Sequence, residues 1–158
     1  MLITHEQSDH IGCVSTLALR QRIPVWMSHG TYSSIGSPAF QGLPPPPLPA
    51  QATDLGSFDA LPVQATRGPR EPLPLLRSDG AAHLGLLTDL GHASAHVLQH
   101  LAGCNALLLE SNHDPELLAA SRYPLFLKRR VGGDHGHLAN EAAAGILQAV
   151  QHPGLQCV

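Results

Sequence analysis

Apolar and polar positions along this chain switch between a helical and an extended spacing, and the switches mark its elements. Leu2-Ile3-Thr4 is a short apolar run that reads as the end of a strand. Residues 11–21 carry apolar side chains at 11, 14, 17, 18 and 19, roughly one face of a helix. Pro24-Val25-Trp26-Met27 is a buried-strand candidate, and residues 30–35 open another helix. Pro44-Pro45-Pro46-Pro47-Leu48-Pro49 lacks the N–H donors of a helix or central strand, which predicts a polyproline-like loop within a Pro-rich stretch at 38–60.

Further along, 61–66 and 72–77 read as short strands, with a hairpin-like turn at Ser78-Asp79-Gly80. Residues 83–88 alternate poorly but are apolar, as a buried strand is. Residues 93–102 read as a helix that Gly103 stops. Ala106-Leu107-Leu108-Leu109-Glu110 is the clearest strand, and 138–150 is a final helix rich in alanine. This order predicts one layered α/β domain over 1–158, with no internal repeat.

Composition narrows the classes. A length of 158 residues with 43% apolar content supports one domain with a real core. No apolar run approaches the ~20 residues of a membrane span, and no basic-then-apolar leader opens the chain. Cys13, Cys104 and Cys157 are odd in number, widely spaced and without a C-x-x-C pair. They suggest a reducing cytoplasm and buried thiols rather than bridges, with Cys13 and Cys104 in the core. A net charge of −3 excludes a protein that coats nucleic acid by bulk charge, while leaving room for a local basic patch.

Eleven histidines are the compositional oddity, and their positions matter more than their number. His5, Asp9 and His10 fall within six residues, directly after the first apolar run. Side chains at the carboxyl end of a strand are where α/β proteins gather ligands, and imidazole with carboxylate suits zinc. Alone, the cluster is equally a capped turn, with Asp9 as N-cap before Ile11. His92, His96 and His100 recur every four residues without a carboxylate or cysteine and read as a solvated stripe. His113, in Ser-Asn-His-Asp after the clearest strand, suits proton transfer or substrate contact, or is simply a loop residue bonded to Asp114. His135, beside His137, reads as an outer-shell or solvent residue. Arg122 with Lys128-Arg129-Arg130 is the basic cluster, fit for phosphates or for solvent.

The first cluster spells H-x-Q-x-D-H and resembles the H-x-H-x-D-H signature of the metallo-β-lactamase superfamily, with Gln7 in place of the second histidine. Thr88-Asp89-Leu90-Gly91 is similar to the family's metal-bridging aspartate segment. Glu110-Ser111-Asn112-His113-Asp114, Arg122-Tyr123-Pro124 and Leu127-Lys128-Arg129-Arg130 resemble a small bacterial branch of nuclease-like hydrolases. Gly136-His137-Leu138-Ala139-Asn140-Glu141 resembles that branch's last metal histidine, at a helix start.

The resemblance implies a partial metallo-β-lactamase αββα sandwich lacking the N-terminal strands, with the chain cut short at both ends, so that an exposed sheet edge would invite self-association. It implies metal ligands among His5, Asp9, His10, Asp89 and His137, with Asp9 also orienting the attacking water and Asp89 bridging or ligating. His113 with Asn112, Lys128 and Arg129 would form the catalytic and substrate side. The implied activity is metal-activated hydrolysis of a phosphodiester, single-stranded DNA being the exonuclease-like case, with no membrane partner. Two departures stand out: Gln7, and Arg67 where counting back from Arg70-Glu71-Pro72 places another ligand histidine. An arginine stays protonated and repels a dication. One zinc or manganese ion is therefore expected, with the second site degraded and activity impaired. The rival is a catalytically inactive remnant or fragment with at most a structural metal. A histidine-rich metal buffer fits the composition but not the motif order.

Overall fold

The computed structural model describes residues 1–38, 53–54, 59–62, 75–78, 80–134 and 136–158. Five strands form one sheet in the order β1 (Thr53–Asp54), β2 (Asp59–Pro62), β3 (Leu75–Ser78), β4 (His83–Leu87) and β5 (Ala106–Leu109). The first four pair antiparallel as a meander, while β4 and β5 run parallel, Leu87 opposite Leu109. The helices in chain order are α1 (Ser8–Ile11), α2 (Val14–Gln21), α3 (His29–Ser34), α4 (Ala95–Leu101), α5 (Pro115–Ala120), α6 (Leu125–Val131) and α7 (Asn140–Val150). A parallel pair needs a crossover, and α4 supplies it. The carboxyl ends of β4 and β5 therefore open side by side, and the Glu110 N–H donates to the Leu87 carbonyl there at 2.9 Å.

One face of β4 and β5 is the main core. Leu87, Val97, Leu101, Cys104, Leu107, Leu138, Ile146 and Val150 are buried together, joining the sheet to α4 and to the last helix, α7 (Asn140–Val150). On the other face Leu108 is 60% exposed. A second, smaller core gathers Ile3, Val14, Ala18, Val25 and Met27 around the helix Val14–Gln21. It ties the first residues down: the Ile3 N–H donates to the Trp26 carbonyl at 2.8 Å, and the Trp26 N–H to that of Met1 at 2.7 Å. Leu2 and Trp26 thus pair as a parallel bridge, the remnant of the two strands expected there.

Several expectations need correction. The helix anticipated over 11–21 is two helices, Ser8–Ile11 and Val14–Gln21, separated at Gly12 and Cys13. Asp9 is inside the first of them rather than capping it; Gln7 takes the cap position and makes no side-chain bond there. Within the loop expected at 38–60, β1 and the start of β2 form beyond the last proline of the run; 44–49 lies outside the described residues. Two short helices, Pro115–Ala120 and Leu125–Val131, were not anticipated. Asp114 explains the first of these, because its Oδ1 accepts the N–H groups of Glu116 and Leu117 at 2.8 and 2.9 Å, with Pro115 opening the turn. Only Cys104 of the three thiols is buried; Cys13 is exposed, because it lies in the break between the first two helices. The outer edge of β5 meets Cys157, whose carbonyl accepts the Leu107 N–H at 3.0 Å. Among the described residues no helix is long and apolar enough to cross a membrane.

Candidate metal centre

Asp89 is the hub of the polar cluster at the carboxyl ends of β4 and β5. It follows β4 by two residues and takes a left-handed backbone, φ +52°, that turns its carboxylate inward to 11% exposure. Its Oδ2 lies 3.6 Å from His5 Nε2 and 3.6 Å from His10 Nε2. Its Oδ1 lies 3.1 Å from His137 Nδ1. Three imidazoles from opposite ends of the chain thus meet one carboxylate. The approach of the His137 loop depends on Gly91, where a Cβ would stand 2.3 Å from the Gly133 carbonyl oxygen and 2.5 Å from that of Asp134. No larger residue allows these backbones to touch.

His5 arrives from the tied-down first residues and is buried, at 4% exposure. Loss of hydration lowers its pKa below the usual 6.5, more than the Asp89 carboxylate raises it, so the ring is neutral near pH 7. His10 comes from the first turn of helix, and the two rings lie tilted at 46° with centroids 4.1 Å apart. His5 Nε2 is buried and has no hydrogen-bond partner. A buried polar atom left unpaired costs roughly 1–3 kcal/mol, which a bound cation would recover.

The donor set fits a divalent cation. His5, His10 and Asp89 offer ligand atoms that lie within 4.8 Å of one another. Two donors about 2.0–2.1 Å from one tetrahedral zinc stand roughly 3.4 Å apart, close to the 3.6 Å found for both imidazoles against Asp89. Asp89, Glu110 and His137 form a second such group. There His137 Nδ1 and Glu110 Oε1 are only 2.6 Å apart, a charge-assisted hydrogen bond and too close for two ligands of one ion. With Nδ1–H donated to Glu110, His137 keeps its lone pair on Nε2. Glu110 Oε2 also accepts the Leu138 N–H at 3.1 Å and the Leu90 N–H at 3.4 Å, tying both loops to the end of β5.

The remaining expected residues spread out from this hub. Asp9 is at the rim, its side chain 74% exposed and its Oδ2 3.7 Å from His10 Nε2; it belongs to neither compact group. His113 and Lys128 are half-buried, Asn112 and Arg129 exposed. His113, Lys128, Arg129 and His137 line one cavity of about 480 Å³, walled otherwise by Leu118, Leu125 and other small or apolar residues. His113 Nδ1 is buried without a hydrogen-bond partner, while Asp114 is engaged in capping its own helix. The Lys128 ammonium donates to the Ala119 carbonyl, which holds it against the cavity wall. Asn112 donates its backbone N–H to the Leu138 carbonyl, and its side chain is not a cavity wall. His92 and His96 are exposed and His100 is half-buried, joining no metal group among the described residues. Arg67, Asp79 and His135 lie outside the described residues.

Two participants had no role assigned from sequence. Glu110 directly follows the clearest strand, and an acidic residue terminating an apolar run was a usable signal. Thr4 had no signal beyond its neighbours, and only the folded chain shows its hydroxyl between two imidazoles.

Known proteins share the sequence family and the fold of this chain. Residues 1–156 match the family described as the beta-lactamase superfamily domain. The chain is 32% identical over 147 residues to the exodeoxyribonuclease YycJ of Bacillus anthracis, covering 91% of this chain and 56% of that protein. It is 28% identical over 149 residues to the exodeoxyribonuclease WalJ of Streptococcus pneumoniae, covering 91% and 55%. The chain thus spans about half the length of the curated relatives it matches. Among solved structures, the metallo-β-lactamase fold protein YhfI from Bacillus subtilis superposes with a TM-score of 0.69 at 14% identity, covering 94% of this chain and 59% of that one. A diphosphatase of the PhnP family gives 0.62 at 16% identity, with 94% and 54% covered. The sheet and its helices are accordingly a partial αββα metallo-β-lactamase fold.

Proposed function

The chain belongs to the beta-lactamase superfamily domain family, and on that premise we propose that it is a metal-dependent hydrolase acting on phosphodiesters, DNA foremost. The observation that carries this is the convergence on Asp89: His5 and His10 at one oxygen and His137 at the other. One divalent cation, zinc or manganese, would be held by His5, His10 and Asp89, with Asp9 at the open rim. Such an ion supplies Lewis acidity, making water a better nucleophile and offsetting charge that develops on the substrate.

The chain's own groups divide the rest of the work. Asp9 is exposed beside the ligands, where it can orient an attacking water and take its proton. Glu110 holds the His137 ring with its Nε2 lone pair free, so that nitrogen can ligate or accept a hydrogen bond. His113 lines the adjoining cavity, where its imidazole is placed to give a proton to a leaving oxygen. Arg129 and Lys128 on the same cavity offer positive charge to phosphate oxygens. The names of the two relatives, both exodeoxyribonucleases, support DNA as the polymer.

A second reading is favoured by one observation, the neutral Gln7 where the family carries a histidine. In it the chain keeps the fold and one structural ion but no turnover. Metal content and hydrolysis of single-stranded DNA with manganese separate the two. The hydrolase holds about one ion per chain, lost in Asp89→Ala and His5→Ala, and cuts DNA; the remnant holds the ion and does not. Pairing Gln7→His with Arg67→His should raise occupancy toward two, and no rise would mean Arg67 is not at a ligand position. Metal content indifferent to Asp89→Ala would end the site assignment.

A further inference from the structure

Thr4 supplies a hydroxyl that the ligand set leaves unused. Its Oγ1 lies 3.0 Å from His5 Nδ1 and 3.3 Å from His10 Nδ1. The far nitrogens of the same two rings, both Nε2, each lie 3.6 Å from Asp89 Oδ2. One hydroxyl therefore stands behind both imidazoles and one carboxylate oxygen in front of both.

A hydroxyl oxygen has two lone pairs and one proton. If it accepts Nδ1–H from both rings, both Nε2 atoms carry lone pairs and face the space beside Asp89. If it donates to one ring instead, that ring's Nε2 is protonated and is no ligand. His5 Nε2 has no partner although it is buried, which suits a lone pair waiting for a cation rather than an N–H wasted in the interior.

The hydroxyl takes no part in the contacts that anchor this segment. The backbone here is held by the Ile3-to-Trp26 hydrogen bond and by the burial of Ile3, Val14, Val25 and Met27, none of which involves Thr4 Oγ1. A structural role would be met equally by valine, which has the same shape.

We propose that Thr4 is a positioning residue that sets the tautomers of His5 and His10, presenting both Nε2 lone pairs to a divalent cation. This rests on the metal-binding role given above to those two histidines, and its test has a readout independent of that role. Wild type, Thr4→Ser and Thr4→Val are compared metal-free by nitrogen NMR of the imidazoles, and by zinc and manganese titration against a chelating indicator.

Thr4→Val should weaken metal binding roughly 10–100-fold, the usual effect of losing such a partner, and Thr4→Ser should stay within about threefold of wild type. In the metal-free spectra the valine variant should show mixed tautomers at His5 and His10 where wild type shows one. An unchanged tautomer pattern in Thr4→Val, with the variant melting like wild type, overturns the proposal whether or not metal binds. Equal metal affinity in the valine variant overturns it as well. A wild type with uniform tautomers that binds no cation would instead end the metal reading and leave the assignment to Thr4 standing.

Discussion

Replacing Glu110 with alanine should destabilise the metal-free protein and loosen both ligand loops at once. The carboxylate, 13% exposed, serves His137 Nδ1 at 2.6 Å, the Leu138 N–H at 3.1 Å and the Leu90 N–H at 3.4 Å. The three losses are unequal. Leu138 is fully buried, so its N–H left without an acceptor costs about 1–3 kcal/mol. The long bond to Leu90 contributes about 0.5 kcal/mol. His137 is 28% exposed and retains Asp89 Oδ1 at 3.1 Å, so water and that carboxylate recover part of its loss. A total near 3 kcal/mol lowers the melting temperature of a chain this long by roughly 6–12 °C. Glutamine separates acceptor from charge. Its carbonyl can serve Leu138 while its amide nitrogen donates to His137 Nδ1, moving the imidazole proton to Nε2. Glu110→Gln should therefore melt within about 3 °C of wild type, about 1 kcal/mol, yet show the opposite His137 tautomer in the nitrogen spectrum and bind metal more weakly. Calorimetry in chelator-treated buffer reads the first quantity. A Glu110→Ala protein as stable as wild type would refute the assignment of Glu110 as the tie between the loops.

The remaining predictions concern protonation and packing. Because burial lowers the His5 pKa below 6.5, the unfolded chain takes up a proton there before the folded one does. That difference leaves stability intact above the unfolded value near 6.5 and erodes it as pH falls through the window below. Melting temperatures of the metal-free protein from pH 8 to about 5 should fall less steeply in His5→Gln than in wild type, and parallel curves would remove His5 as the cause. Gly91→Ala should cost more than the ordinary overpacking penalty of about 1–3 kcal/mol, because the new methyl meets backbone oxygens at 2.3 and 2.5 Å that no rotamer change can relieve. A melting temperature equal to wild type would show that the Gly133–Asp134 segment is free to move away.

What the sequence made legible follows from locality. Residues 106–110 and 138–150 declare themselves because a single apolar period runs through each, and β5 and α7 form there. The ligand candidates emerged through motif order, which spacing alone would have left as a capped turn at Asp9 and a loop at Asp89. The short helices after Asp114 and Pro124 bury no side chain and so carry no apolar face to read, although the Asp-Pro start of the first was readable. Glu110 was visible as a residue but not as a partner, since its meaning depends on β4 and β5 being parallel neighbours. The same holds for Thr4, whose two partners are adjacent to it in space through the turn of helix that carries His10. Spacing identifies which side chains can ligate; only the crossover between β4 and β5 decides which carboxylate faces His5 and His10 and which steadies the His137 ring.

The backbone at Asp89 narrows what evolution can write there. A φ of +52° is comfortable for glycine, tolerable for asparagine and aspartate, and costs other residues about 1–2 kcal/mol. The proposed metal site asks for a carboxylate at the same position. Aspartate is the one amino acid that satisfies both demands, so glutamate, which keeps the charge, is no neutral drift at this site. Lineages that abandon the chemistry would be released first toward asparagine or glycine, and the letter found at this position records which of the two constraints still operates.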